Sequence, residues 1–567
     1  MKCLQTMLCT GVLLLAMTGA QAATYIKAPP LAKVIEPKVG QVRGDTIQVP
    51  MITWGGDIAT IYGNGNARST AKGSIFARRG LQLKLVREDD FIKQIKAYMR
   101  GDSPFLRGTM GMLNMAMEVL ERDPRTQPVV IYQMTWSTGG DALVVKPGIR
   151  TPADLCGKTI AVQAYGPHVD YLTRVIADAC RSAGEVRIKW TRDLTGPSAA
   201  LQDDPSVDAA VVLIHDAQAL TSGGTVGTGA DDSVKGARIL MSTRTANRVI
   251  ADVYAVRADY LKAHRRKVEQ FVHGLMQAEE ELRNLVQQRD SRLKKYQQTM
   301  TAAAELLVGS PQAVADAEAL YADCQYVGYR GNVAFFGDPN HPRNFGNLTR
   351  EIQDSLVAIG LMRARLPLDH AKWDYGQLKK GLNDVAGVKT PAFDADAVAN
   401  VVARRQQQGT LKSGELFAFE VYFKPNQNDF SESLYGDAFA KVVELASTYG
   451  GAVITIEGHS DPLGYLRKKK DGSTAVVLKR IVQAAKNLSL TRANRVRDSV
   501  ITFAQGKGVN LDPTQFATVG HGITQPKNGM CGADPCPPKT EQEWHNNMRV
   551  EFRMIQIEAE AQAFKPL

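Results

Sequence analysis

This sequence predicts an α/β protein of three units: two α/β lobes built from one chain, then a smaller α/β unit near the C-terminus. Three observations carry that expectation. Short apolar runs at 47–54, 81–86 and 129–135 alternate with helical stretches, and the alternation starts again after Thr151. The run 253–256 reads as a return to the first lobe, with long helices following over 259–307. Further on, Ile454-Thr-Ile-Glu-Gly-His-Ser-Asp461 alternates as a strand and ends in a polar turn, and helical spacing follows at Ala493, Val496 and Val500.

The first residues are Met1-Lys2, an apolar run over 7–17 and Ala20-Gln21-Ala22. These are the charged, apolar and small-residue parts of a secretory signal, and the run is too short to span a bilayer. The expectation is cleavage after Ala22, loss of Cys3 and Cys9, and an extracytoplasmic mature chain. Cys9 is not in a lipobox-like context, so no lipid anchor is expected. The formal charge of +11 includes one signal lysine and no signal acid, which leaves 11 − 1 = +10 on the mature chain. Such a surface suits an acidic partner or a wall polymer, and equally no single partner. No basic–aromatic pattern argues for nucleic acid. An apolar content of 44% and a charged content of 22% are ordinary for a globular protein, and 567 residues suffice for several cores.

Residues 23–45 are Pro-rich. Gly55-Gly56 then turns the first strand into a helix from Ile58, and helices are expected over 91–99 and 108–120. The second lobe, about 151–250, opens with Thr151-Pro-Ala-Asp-Leu-Cys-Gly-Lys-Thr-Ile-Ala-Val-Gln163, a short helix, a Gly turn and a strand. A helix over 169–183 and strands at 186–190, 209–214 and 238–241 follow. The aromatic, Gly/Pro-rich stretch Phe335 to Phe345 reads as a loop, over the lobe interface or on the surface. A helix is expected over 352–361, a linker over 385–412 and the last domain over 413–567. Neither a solenoid repeat nor a membrane span is visible.

Passing into a second unit and back is the plan of a two-lobed periplasmic binding protein. The segment 151–163, with Tyr165-Gly166-Pro167-His168, resembles the nitrate/sulfonate/taurine and thiamine-precursor group of ABC-transporter binding proteins. The resemblance covers about 46–310 and implies a type II-like fold for 23–384. It also implies a small-molecule solute held between the lobes at strand ends, with closure around it and an inner-membrane ABC transporter as a partner. The loops so placed are 54–57, 135–141, 165–168 and 214–216. Their candidates are Trp54, Gly55, Asp57, Trp136, Thr138, Gly139, Gly166, His168, His215 and Asp216. Trp54 and Trp136 would stack on the solute; Thr138, Gly139 and the helix amides after Pro167 would hold an anion. Each also has an ordinary structural reading, the tryptophans as core.

In the last domain Asp461 ends a strand, Ser489 is a candidate N-cap and Arg492 would sit in the first helical turn. The two charges suit a ligand bearing an amine and a carboxylate, or are a structural pair or unrelated surface charges. Gly458-His459-Ser460-Asp461, Leu488-Ser489-x-x-Arg492-Ala493, Gly520-His521-Gly522 and Asn547-Met548-Arg549-Val550-Glu551 resemble, in order, the motifs of the OmpA-like peptidoglycan-binding domain. The resemblance covers about 413–556. It implies that Asp461 and Arg492, with Asn547 and Arg549, bind the diaminopimelate stem peptide of peptidoglycan. Met548 stands where the family usually has an arginine, and the 465–487 insert is longer than usual.

Cys531-Gly-Ala-Asp-Pro-Cys536 is the best disulfide pair, with Cys156–Cys180 next, and one cysteine must be left over. A metal site with His521 or His545 is the rival, though nothing else has ligand spacing, so no metal and no cofactor is expected. No nucleophile–base pair stands out, so no enzyme is expected. Together these imply a wall-anchored solute-binding protein in the periplasm of a Gram-negative bacterium, or a wall-attached scaffold whose front domain contacts a protein.

Overall fold

The computed structural model describes residues 23–556 except 37, 225, 231, 384–392, 413 and 423–431. The expected signal segment and part of the expected linker lie outside the described residues. In chain order the front strands are β1 (Ile47–Met51), β2 (Leu83–Arg87), β3 (Phe105–Thr109), β4 (Pro128–Ser137), β5 (Asp141–Val145), β6 (Thr159–Gln163), β7 (Arg187–Thr191), β8 (Ala209–Leu213), β9 (Arg238–Ser242), β10 (Ala251–Arg257), β11 (Cys324–Tyr326) and β12 (Asp369–His370). The first lobe holds a sheet ordered β11-β4-β10-β3, with β12 also on β4, and the parallel pair β1-β2 beside β3. The second lobe is the five-stranded sheet β7-β6-β8-β5-β9.

The chain crosses between lobes twice, from β4 to β5 and from β9 to β10. The first crossing precedes the expected boundary near 151, because β5 already pairs with β8 and β9. Strands β3 and β5 were not expected from the sequence. The stretch Phe335 to Phe345 is not a loop cover. Helix Gly328–Gly337 includes Phe335, and Phe335, Phe336, Phe345 and His370 pack ring to ring beneath the sheet.

The C-terminal unit adds β13 (Glu415–Tyr422), β14 (Val453–His459), β15 (Phe516–Gly522), β16 (Met530–Cys531), β17 (Asp534–Pro535) and β18 (Arg549–Ile555). Its sheet runs β13-β18-β14-β15, with β14 and β15 parallel and the other pairs antiparallel. Helices Glu432–Thr448 and Ala475–Gly506 cover the face formed by Ile454, Ile456, Val550, Phe552 and Met554. The opposite face is partly covered by helix Ala395–Gln407, through Val398, Val401 and Val402 against Val453, Val519 and Ile555. The stretch expected as linker therefore carries a helix of the C-terminal core. Cys531–Cys536 and Cys156–Cys180 are disulfides, and Cys324 is a buried thiol.

The C-terminal unit is packed onto the second lobe. One apolar core runs from Leu143, Val162 and Leu172 to Phe439, Val442 and Tyr449. Arg174 reaches Asp178 at 2.6 Å, Glu444 of the C-terminal unit at 2.7 Å and Glu351 of the first lobe's outer helix at 2.5 Å. Tyr449 Oη donates to Asp178 at 2.7 Å, and Gly451 N donates to Thr245 O at 3.1 Å. A Cβ at Gly451 would lie 1.8 Å from Arg244 O, so only glycine lets the backbones approach this closely.

Candidate functional site

Where the chain crosses between the lobes, side chains from both crossings meet, with Ser137 Oγ 3.0 Å from Thr243 Oγ1. Asp141, at the start of β5, accepts from Ser137 Oγ at 2.6 Å and lies 2.9 Å from His168 Nε2. Asp323 is pushed up to about 6 by burial and by Asp141, against the pull of Arg244 and His215. Burial likewise raises Asp216, opposed by His215 and His168. Asp323 thus feels Asp141, Arg244 and His215, and Asp216 feels His215 and His168. Sequence reading included His168, His215 and Asp216 but missed Asp141, Arg244 and Asp323, for which no linear spacing gives a signal. His168 is buried, while the His215 side chain is 70% exposed.

The tryptophans are not offered to a solute. Trp54 is 8% exposed and donates from Nε1 to Thr135 Oγ1 at 3.1 Å. Its ring fills the space beside Gly140, where a Cβ would come within 2.7 Å. Trp136 is 5% exposed and meets Phe335 edge to face, with the Arg248 guanidinium 5.9 Å from its ring centroid. Both are core residues, because their large apolar area is better buried than left at a strand end. Gly55 is covered by Leu320, and its carbonyl accepts from Tyr326 Oη at 2.6 Å. Asp57 is fully buried on Arg107, at 2.9 Å. Thr138 N donates to Asp323 O at 2.9 Å, and Gly139 abuts the Asp323 carboxylate, so this pair holds the chain itself rather than an open anion site. Gly166 abuts Gln163.

The helix after Pro167 meets the other lobe through its own carboxylate. Asp170 Oδ2 accepts from Gly111 N at 2.9 Å, in the first turn of helix Met110–Leu120. A carboxylate from one lobe thus occupies the anion-attracting end of a helix in the other. Burial raises Asp170 to about 7, opposed by the Gly111 amide and Thr109. In the unfolded chain it ionises near pH 4. The native state therefore binds the extra proton between about pH 4 and 7. The stabilisation this gives is complete below that window, is lost as pH rises through it and stays lost above. Asp170→Asn is expected to raise Tm at about pH 8 and change it little at about pH 4, which paired thermal melts check.

In the C-terminal unit the motif glycines explain the fold before any ligand does. A Cβ at Gly458 would lie 2.1 Å from Ser489 O, and one at Gly520 2.6 Å from Lys486 O. Glycine here lets helix Ala475–Gly506 lie directly on β14 and β15. Ser489 is not an N-cap. It lies inside a helix that starts after Thr474, and its Oγ accepts from Gly522 N at 2.9 Å. The insert supplies helix Leu463–Lys470 and the first turns of the long helix, so Arg492 is mid-helix.

Asp461 follows β14, and its Oδ2 accepts from Leu463 N at 3.1 Å. Its Oδ1 is buried without a hydrogen-bond partner. Burial raises the carboxyl, opposed by Trp544, the Leu463 amide and Arg467. Arg492 is 8% exposed, its Nε has no hydrogen-bond partner, and burial lowers its pKa. Neither is the other's partner. Asn547 is buried, with its Oδ1 accepting from Lys527 N at 2.7 Å and its Nδ2 unpartnered. Arg549 does not join Arg492. It alternates with Val550 and so points to the opposite sheet face, where it holds Glu551 at 2.5 Å and Glu420 at 3.7 Å. That face opens into a cavity of about 720 Å³ lined by Glu420, Glu457, Lys527, Arg549, Glu551 and Arg553 among others. The disulfide hairpin β16-β17 braces the helix after Asp461, through Asp534 to Tyr465 at 2.9 Å and to Lys469 at 2.5 Å.

No family model matches the chain. It is 30% identical over 180 residues to the outer membrane protein Omp38 of Acinetobacter baumannii, and 27% identical over 179 residues to Omp38 of another strain. Each match takes 31% of this chain and 44% of the relative, so the chain spans less than half the length of the curated relatives it matches. Among solved structures, the alkanesulfonate-binding protein SsuA of Xanthomonas axonopodis pv. citri is 16% identical, covering 58% of this chain and all of its own, at a TM-score of 0.38. The aliphatic sulphonate binding protein SsuA of Escherichia coli is 13% identical, covering 62% and 98%, at 0.38. The nitrate-binding protein NrtA of Synechocystis PCC 6803 is 8% identical, covering 49% and 70%, at 0.34. Among the described residues no helix is long and apolar enough to cross a membrane. The chain is a mixed α/β protein whose front part has two lobes, each with its own sheet, joined by two crossings, and part of the chain is similar in sequence to an outer membrane protein.

Proposed function

We propose that this chain is a periplasmic solute-binding protein held non-covalently to peptidoglycan, with Asp461 taking the ammonium and Arg492 the carboxylate of a diaminopimelate unit. The observation that carries this is a pair of buried atoms without a close hydrogen bond, Asp461 Oδ1, whose charge the nearby Trp544 indole N–H favours, and Arg492 Nε. Leaving such groups unpaired costs about 1–3 kcal/mol each or more, which a zwitterionic ligand would relieve. The resemblance of the four C-terminal motifs and the similarity to Omp38 support the same reading. Asp461→Ala and Arg492→Ala are each expected to weaken co-sedimentation with purified diaminopimelate-type peptidoglycan by about tenfold or more. Unchanged sedimentation of both variants would remove the anchor.

The two-lobed front supports capture of a small solute, for an ABC-type transporter or a sensor. Because the C-terminal unit packs on the second lobe, the clamp would be carried at the wall rather than on a loose tether. A second reading, a wall-attached scaffold, is favoured by the closed contact of Asp170 with Gly111 and by the buried tryptophans. Ligand-induced thermal shifts over small anions, sulfonates, amines and pyrimidines separate the two. A shift lost in Asp323→Ala favours capture; no shift anywhere in the panel favours the scaffold.

A further inference from the structure

The sheet face turned away from helix Ala475–Gly506 carries a buried cluster that neither the wall site nor the lobe crossings use. Glu457 and His459 alternate on β14, and His521 stands beside them on β15. One ligand atom from each lies within 4.8 Å of the other two. The imidazoles stack with centroids 4.8 Å apart, and His521 Nε2 is 2.9 Å from Glu457 Oε2.

The hydrogen bonds around the cluster leave a lone pair unused. His459 Nδ1 lies 3.2 Å from the Gln525 carbonyl, which can only accept, so Nδ1 carries the proton and Nε2 does not. That Nε2 is buried with no hydrogen-bond partner. The Glu551 Oε1 atom 3.5 Å away is a carboxylate oxygen already held by Arg549 and has no proton to give. Glu457 Oε1 accepts from Arg553 Nε at 2.9 Å and Thr455 Oγ1 at 2.7 Å, which aims Oε2 at His521. A backbone carbonyl behind one imidazole and fixed donors behind a carboxylate are the contacts that orient metal ligands.

We propose that Glu457, His459 and His521 form a binding site for a divalent transition-metal ion, with zinc the best fit. Donors around one tetrahedral zinc stand about 3.3 Å apart, so the three atoms need only close inward by about 1 Å. Two imidazoles and one carboxylate suit zinc better than magnesium or calcium, and leave a fourth position to which Glu551 is the nearest further acid. On binding, the proton that His521 Nε2 shares with Glu457 moves to Nδ1 of the same ring, freeing the Nε2 lone pair. The positive charges nearby, Arg549, Arg553 and Lys527, are already paired with Glu415, Glu420, Glu457 and Glu551. An ion here would cross-link β14 to β15 two residues before Asp461.

The test is titration of the untagged, metal-stripped full chain, disulfides intact, with Zn²⁺ by calorimetry and with Co²⁺ by visible absorption. One ion per chain, the ligand-field bands of tetrahedral Co²⁺ with N/O donors, and a Zn²⁺-dependent rise in Tm are expected. His459→Ala and His521→Gln should abolish this binding. Thr455→Val, which leaves all three donors in place, should weaken it by about tenfold. No stoichiometric uptake by the wild type would overturn the proposal, as would unchanged uptake by His521→Gln and Thr455→Val.

Discussion

Arg107→Met is expected to lower stability by about 3–5 kcal/mol, because it strands buried charge. Arg107 lies on β3 with no exposed surface, 2.9 Å from Asp57 and 2.8 Å from Asp252. Two carboxylates thus share one guanidinium. Burial raises Asp57 to about 6 in spite of Arg107, and it raises Asp252 as well. With the cation removed, both carboxyls must be protonated or remain uncompensated. The loss should therefore be larger at about pH 8 than at about pH 5, where protonation relieves it. Urea unfolding at the two pH values measures it. A loss below about 1 kcal/mol at the higher pH would mean that the triad does not hold the first lobe together.

Arg174→Ala is expected to loosen the C-terminal unit from the lobes and to cost about 3–5 kcal/mol in the coupled structure. Arg174 is 4% exposed and joins three parts of the chain, through Asp178, Glu351 and Glu444. Burial alone would raise Asp178, but Arg174, Lys441 and Tyr449 hold it below the usual range. Removing the guanidinium leaves the buried Asp178 supported only by Lys441 and the Tyr449 hydroxyl. Small-angle scattering should show a larger radius of gyration, and thermal melts should split into two transitions. A single unshifted transition would show that the apolar part of the interface suffices. Gly451→Val attacks the same junction by steric means, since its Cβ would meet Arg244 O.

Much of the architecture is legible in the linear order of residues. The segment Thr151 to Gln163 predicts a short helix, a Gly turn and a strand, and the structure has helix Pro152–Leu155, Gly157 at φ +77° and β6. Propensity and period act over a few residues, so such units can be read directly. The cysteine pair at 531 and 536 is likewise local, and it closes a hairpin. Strand β3 was hidden for the opposite reason. Phe-Leu-Arg-Gly-Thr is a poor buried strand until Asp57, 50 residues away, and Asp252, 145 residues away, neutralise its arginine. Strand β5 lies against partners that come much later in the chain.

The candidate sites divide in the same way. Asp461 and Arg492 could be named only because four short motifs resemble a known domain; their spacing alone left a structural pair open, and the helical turn expected around Arg492 is mid-helix. Whether a side chain is then free or already engaged depends on partners from other elements. Trp54 and Trp136 pack inward and Arg549 turns to Glu551, while His459 keeps an unused nitrogen. What the sequence determined by itself is the alternation of helix and strand, the three-part order and the chemical types available. The tertiary structure alone decided which charges meet, because a pairing across two lobes depends on how sheets stack and leaves no periodic mark in the chain.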